Sequence, residues 1–314
     1  MTQNIFSIYK KTFPTFDNLT VLEDKIKIFS QNLDESQLKI PTWEDEVFFI
    51  EGSKRDIEFI FLINTINFCF WSLDKKEKWQ YRYKNKKYSG SMSLFSALKN
   101  ALENNYPLLD FNYLESINET ELAKILNQDK QIPLLKERCL VLNEIGKLSK
   151  NNNLKNFYSI YEKSNESAID LIKIIIDLYP SFRDFSFYKN NKYPILKRAQ
   201  LIPAMIFGRY QNQNPFNDIN NLIVFSDYKI PQTLRNFGLI EYSQSLAEKI
   251  QNQEIITNQS LEEIEIRLSS IFICEFIKSY NKNLNSLNLD YFLWLNSKNI
   301  KIEYEYHKTF SIFY

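Results

Sequence analysis

The chain has 314 residues, 44% of them apolar and 15% aromatic, enough for one large domain or two modest ones and too apolar for a disordered chain. Its net charge of +1, from 39 basic and 38 acidic residues, argues against a long nucleic-acid footprint, because affinity gained by neutralising many phosphates needs a strongly basic protein. A small anionic ligand held by two or three local cations remains compatible.

Only five glycines occur, Gly52, Gly90, Gly146, Gly208 and Gly238. Architectures rich in tight β-turns use many more, so a mainly α fold is expected. In chain order, Leu19, Leu22, Ile26 and Phe29 recur at helical spacing. Gln80–Tyr83 and Lys86–Tyr88 flank a Lys84-Asn85 turn and predict a small β-hairpin before a helix over Ser91–Glu103. Asn118 with Glu121 is a helix-start signal. The stretch 150–156, KNNNLKN, reads as a surface loop. It is a soft boundary between an N-terminal helical and hairpin part and a C-terminal catalytic part of one unit, 1–314. Ala168, Leu171, Ile172, Ile175 and Tyr179 predict another helix. Pro231 starts a short helical stretch that Gly238 closes, and Ser260 with Glu263 forms a capping box opening a helix over Leu261–Tyr280. Thr309–Tyr314 reads as a final strand.

Cys69, Cys139 and Cys274 lie singly among apolar neighbours, the pattern of buried thiols in a reducing compartment. With His307 as the sole histidine, a zinc site built on several imidazoles is excluded, and no nucleophile-elbow motif supports a Ser-His-Asp triad. The start, MTQNIFSIYKK, lacks an apolar stretch of signal-peptide length. The apolar windows 57–71 and 169–178 are interrupted by polar or charged residues. A cytoplasmic protein without membrane contact is expected.

Five places carry chemistry-bearing residues. Asp227 ends the apolar run Leu222–Phe225 where a helix begins, a position that either holds a charge fixed towards a ligand or caps the helix. Lys197 and Gln200 share a helix face, with Arg198 pointing elsewhere; Lys197 reads as a phosphate partner or a solvated surface lysine. Ser89 and Gly90 in YSGS precede a helix whose backbone N–H groups suit an anion, or form an ordinary turn. Asp290 and Tyr291 in LNLDYFLW either meet a ligand or face water. Arg183 and Asp184 read as a local ion pair, with a role in shaping the pocket as the alternative.

The segments NTINFCFWS (64–72), YRYKNKKYSG (81–90), KERCLVLNEIGK (136–147), SNESA (164–168), PSFRD (180–184), LKRAQ (196–200), FSDYKIPQTLRNFGLIEYS (225–243), EEIEIR (262–267) and LDYFLW (289–294) resemble, in order, the queuosine-salvage N-glycosylases. The resemblance implies a largely helical fold similar to helix-hairpin-helix DNA glycosylases. It also implies hydrolysis of queuosine 5'-phosphate to queuine and ribose 5-phosphate, with no metal or organic cofactor. Asp227 then looks like the catalytic carboxylate, stabilising an oxocarbenium-like transition state, with Phe225 a wall of the base site. Tyr228, Asp290, Tyr291, Lys197, Ser89 and Gly90 are the expected substrate-binding residues. The expected partner is a small molecule, with no direct nucleic acid, and the expected state is a monomer. The chain departs from the family pattern in having no histidine over 41–56, and in Met205, Phe207 and Leu295 where polar or aromatic groups are usual. An N-glycosylase for another modified nucleotide and a non-catalytic queuine or nucleotide carrier are the competing readings.

Overall fold

Side-chain caps set the helix starts. Ser53, Asp110, Asn118, Ser167, Ser243 and Ser260 each accept a hydrogen bond from a backbone N–H in the first turn that follows. The computed structural model describes residues 4–10, 13–72, 78–128, 130–299 and 303–314, with the backbone alone at 298 and 299. In order, the elements are β1 (Leu19–Val21), α1 (Glu23–Gln31), α2 (Lys54–Thr65), β2 (Gln80–Tyr83), β3 (Lys86–Ser89) and α3 (Ser91–Glu103). Then follow α4 (Phe111–Ser116), α5 (Glu119–Leu126), α6 (Leu135–Asn151), α7 (Tyr158–Glu162) and α8 (Ala168–Leu178). The remainder is β4 (Phe185–Tyr188), β5 (Asn191–Pro194), α9 (Lys197–Tyr210), α10 (Lys229–Asn236), β6 (Ile240–Tyr242), α11 (Gln244–Gln251), α12 (Leu261–Tyr280) and α13 (Ser286–Asn299). The fold is mainly α, with three two-stranded antiparallel sheets among the described residues.

The core is built around α12. Every residue from Glu263 to Cys274 is buried, so this helix has no solvent face over that stretch and meets α1, α10, α13, β1 and β4. Its bounds are those expected, and Ser260 Oγ accepts from Glu263 N at 3.3 Å. The reciprocal half of the box differs: Glu263 Oε2 accepts from Gln259 N, 3.1 Å away, one residue before the cap. The β2–β3 hairpin forms around Lys84 and Asn85, both with positive φ. All three cysteines are buried thiols, and among the described residues no helix is long and apolar enough to cross a membrane.

Several local features differ from the sequence reading, among them the start of α10, which is Lys229 rather than Pro231. Leu19 is not helical: it pairs with Tyr242 in the β1–β6 ladder, and the helix begins at Glu23. A partner more than 200 positions away in sequence is invisible to local periodicity. A second hairpin, β4–β5, turns at Lys189 and Asn190, the same Tyr-Lys-Asn turn with the same positive φ as the first. Thr309–Tyr314 is not a strand; this segment is held instead by single bonds, such as Cys69 N donating to Tyr314 O at 3.0 Å. Lys150 and Asn151 complete α6, and only the residues after them are loop, with Leu154 buried. Buried side chains on both sides of this stretch join one apolar cluster.

Gly146 lets α6 lie directly on α4. A Cβ there would stand 2.6 Å from Phe111 O and 2.7 Å from Glu115 Cα, both rigid backbone atoms. Gly146→Ala is therefore expected to destabilise the protein by about 1–3 kcal/mol despite the better helix propensity of alanine. Urea unfolding tests this, and an unchanged midpoint would mean that the two helices separate freely.

Candidate active site

The segment 222–226 belongs to no helix or sheet, so its backbone groups need other partners. Side chains from three helices supply them. Gln200 Oε1 of α9 accepts from Ile223 N at 3.0 Å, and Asp290 Oδ1 of α13 accepts from Phe225 N at 2.7 Å. Arg267 of α12 donates to Ser226 O from Nε at 3.3 Å and from Nη2 at 3.2 Å, and Ser226 Oγ donates back to Arg267 O at 3.0 Å. Asp227 follows immediately. Its Oδ1 accepts from Lys229 N at 2.6 Å and Ile230 N at 3.1 Å, capping α10. Oδ2 takes no part in that cap, and the residue is only half-buried. Asp227 thus caps a helix and also lines a cavity.

That cavity is about 300 Å³ in volume. Phe225, Asp227, Tyr228, Lys197, Asp290, Tyr291, Ser89 and Gly90, drawn from four parts of the sequence, all line it. Lys197 is 7% exposed, not a solvated surface lysine. Burial pulls its ammonium down to about 8, against the pull of the Asp227 charge, and Nζ donates to Asn67 O at 3.2 Å. Asp290 is buried beside it. Desolvation pushes its carboxyl up to about 8, although the Phe225 N–H bond works in the opposite direction. The cavity therefore holds a base and an acid that both titrate near neutrality, the pattern of a site built for chemistry or for charged ligands.

The start of α3 forms another wall. Gly90 has φ +63°, and a Cβ there would stand 3.4 Å from Lys78 Cδ. Gly90 N donates to Trp79 O at 2.9 Å, so the glycine is tied back to the hairpin while Ser89, Ser91 and Met92 line the cavity. Lys78 stands 5.0 Å from the Tyr228 ring and Lys229 4.8 Å from the Tyr306 ring. Sequence reading missed Trp43, Asn67, Phe70, Lys78, Lys229 and Trp294 as lining residues. NTINFCFWS and LDYFLW contain three of them, and the abundance of aromatics was the available signal; nothing local marks Trp43.

Several expectations are corrected. Asp184 does not pair with Arg183. It forms a two-pronged bond with Arg267, at 2.9 and 2.7 Å, while Arg183 donates to the carbonyls of Ile176 and Asp177. Arg198 points away from the cavity, as expected, and is buried against the carbonyls of Thr65 and Ser181. Gln200 does not share the cavity with Lys197; its amide donates to Ile195 O at 2.8 Å. Of Met205, Phe207 and Leu295 only Met205 lines the cavity, and from the histidine-free stretch 41–56 Trp43 does. His307 is buried against Tyr314, its Nε2 3.3 Å from the phenol oxygen, and burial holds it neutral, down to about 3. Among the described residues no group of His, Cys, Asp and Glu is placed to hold a metal ion.

Comparison with known proteins gives a consistent answer. The family described as queuosine salvage protein matches residues 49–314. A protein of Sphaerobacter thermophilus named queuosine 5'-phosphate N-glycosylase/hydrolase is 31% identical over 285 residues, covering 88% of this chain and 87% of its own. Proteins of the same name from Bos taurus and Nematostella vectensis are each 30% identical, covering 82% and 92% of this chain and 81% and 90% of their own. With a match over most of its length, the chain belongs to the queuosine salvage protein family.

Proposed function

We propose that this protein hydrolyses the N-glycosidic bond of queuosine 5'-phosphate, releasing queuine and ribose 5-phosphate. The observation that carries the reading is Asp227: a carboxylate fixed by two backbone N–H bonds, in a cavity walled by aromatic rings and lined by a buried lysine. Cleavage of such a bond builds positive charge on the sugar ring, and a preorganised anion lowers that barrier electrostatically. Queuine is a 7-deazaguanine and lacks N7, the atom usually protonated when a purine leaves. More of the catalysis then falls on the sugar cation and on positioning water. Phe225 and Tyr228 wall the substrate, and Asp290 and Tyr291 contact the base. The secondary amine of queuine is cationic when protonated, and its approach would draw Asp290 back towards the charged carboxylate. Lys197 and the Ser89-Gly90 turn serve the phosphate.

On this reading the protein is one catalytic unit, 1–314, with a soft boundary near 150–156. It resembles helix-hairpin-helix DNA glycosylases in architecture, needs no cofactor, and acts as a cytoplasmic monomer on a free nucleotide rather than on nucleic acid. Incubation with queuosine 5'-phosphate is expected to yield free queuine by mass spectrometry. Cleavage of guanosine monophosphate in its place, or tight binding of queuosine 5'-phosphate without turnover, would overturn the proposal. Lys197→Ala is expected to raise KM for the nucleotide about 10- to 100-fold, the scale of a lost charge-assisted hydrogen bond. KM for the nucleoside should change far less, and equal changes in both would remove Lys197 from the phosphate site.

A further inference from the structure

Two polar atoms of the cavity have no specific ligand atom assigned to them above. The hydroxyl of Tyr291, a residue 2% exposed, and the indole Nε1–H of Trp43 are both buried with no partner among the described residues beyond each other. Both residues line the cavity, with ring centroids 5.7 Å apart. The indole is close enough to favour the Tyr291 phenolate, although burial dominates and pushes that hydroxyl far up. Buried polar atoms are nearly always satisfied, and an orphaned pair at the edge of a cavity is a site for a ligand atom.

Trp43 is delivered by a coil, and the fold works to keep it there. Its φ of +55° lies in the left-handed region, which is unfavourable for a tryptophan. Gly208 of α9 makes room for it. A Cβ at 208 would stand 3.1 Å from Cδ1 and Nε1 of Trp43 and would collide with the carbonyl of Pro41. The next residues of the coil are tied down on both sides. Glu44 pairs with Arg209 at 2.9 Å, Glu46 accepts from the Tyr88 hydroxyl, and Lys99 Nζ donates to the carbonyls of Glu46 and Phe48 at 2.8 and 2.7 Å.

The position of Trp43 along the cavity is informative. Lys197, Leu201 and Met205 line it at four-residue intervals on one face of α9, and Gly208 lies just beyond. With a rise of about 1.5 Å per residue, Gly208 is roughly 16 Å along the helix from Lys197. Asp227 is the charge that acts most strongly on Lys197. Trp43 therefore packs against the end of α9 that lies away from Lys197.

We propose that Trp43 and Tyr291 form a hydroxyl-binding dyad that reads the cyclopentenediol of the base. The inference rests on the reading of queuosine 5'-phosphate as substrate. The indole N–H donates to one diol oxygen, and the Tyr291 hydroxyl, able to donate or accept, bonds the same oxygen or its neighbour. Rings of Trp43, Tyr291 and Trp294 cover the apolar faces of the substituent. Asp290, adjacent in sequence to Tyr291, is left for the amine. Trp43 precedes residues 49–314, the stretch that matches the family, whereas Tyr291 lies within it.

Calorimetric titration of the whole protein with queuine and with 7-aminomethyl-7-deazaguanine, which keeps the ring carbonyl and the amine but lacks the diol, tests the dyad. Trp43→Phe and Tyr291→Phe are each expected to weaken queuine binding about tenfold, the scale of one neutral hydrogen bond, and to leave 7-aminomethyl-7-deazaguanine within about twofold. The free Tyr291→Phe variant should melt no lower than the wild type, because it removes a buried hydroxyl and keeps the ring, whereas Trp43→Phe also loses one ring of the indole and should melt somewhat lower. Equal weakening of both ligands would place the two donors on the ring system, and unchanged queuine binding would remove them from recognition; either overturns the dyad. A wild type that binds neither ligand would instead overturn the substrate reading, and the dyad with it.

Discussion

Asp227→Asn should lower the rate of queuine release at least about 10²–10³-fold while leaving the fold and substrate affinity close to wild type. The asparagine carbonyl can take over both bonds of Oδ1, to Lys229 N and Ile230 N, and asparagine caps helices about as well as aspartate. The start of α10 and the anchoring of Phe225 and Ser226 should therefore persist. The substitution removes the negative charge and little else, so the lost rate measures electrostatic stabilisation of the sugar cation. Single-turnover assays with queuosine 5'-phosphate, with thermal melts alongside, give the answer. A variant that keeps more than a tenth of wild-type turnover would show that Asp227 is a helix cap and not the catalytic carboxylate.

Asp184→Ala should be the most destabilising single change away from the cavity, by about 3–5 kcal/mol. Asp184 and Arg267 are 2% and 0% exposed and share two hydrogen bonds. Burial alone would lower the pKa of Arg267, but Asp184 and Glu263 outweigh it and push it up. Without Asp184 the guanidinium keeps, among the described residues, Glu263 at 3.5 Å, the carbonyl of Ser226 and the Tyr314 ring, 4.2 Å from its centre. The same carboxylate also accepts from Lys197 N at 3.4 Å at the start of α9. Two elements that carry site residues lose an anchor together, so activity should fall with stability. Asp184→Asn preserves the shape and loses the charge, which separates packing from pairing. Guanidinium unfolding is the measurement, and a loss under about 1 kcal/mol would mean that water or a neighbour replaces the carboxylate.

The legible parts of this protein are those whose cause lies within a few residues. The start of α12 follows from Ser260 and Glu263, that of α5 from Asn118, and the β2–β3 hairpin from a two-residue turn. The β4–β5 hairpin carried the same Tyr-Lys-Asn signal and went unread. The candidate site was legible for another reason. Its residues sit in long, unusual segments, so FSDY and LDYF marked Asp227 and Asp290 although nothing local says that they meet.

By itself the sequence determined the mainly helical class, the starts of α3, α5, α8 and α12, the first hairpin, the family and eight of the residues that line the cavity. Only the tertiary structure decided that Asp184 belongs to Arg267 rather than Arg183, that Leu19 pairs with Tyr242, and that Trp43 reaches the cavity. It alone buried Lys197 and Asp290 and so moved both towards neutral pH. The physical reason is common to all of these. Capping and turn geometry are properties of neighbouring residues, whereas desolvation and long-range pairing exist only once distant segments have excluded water from between them.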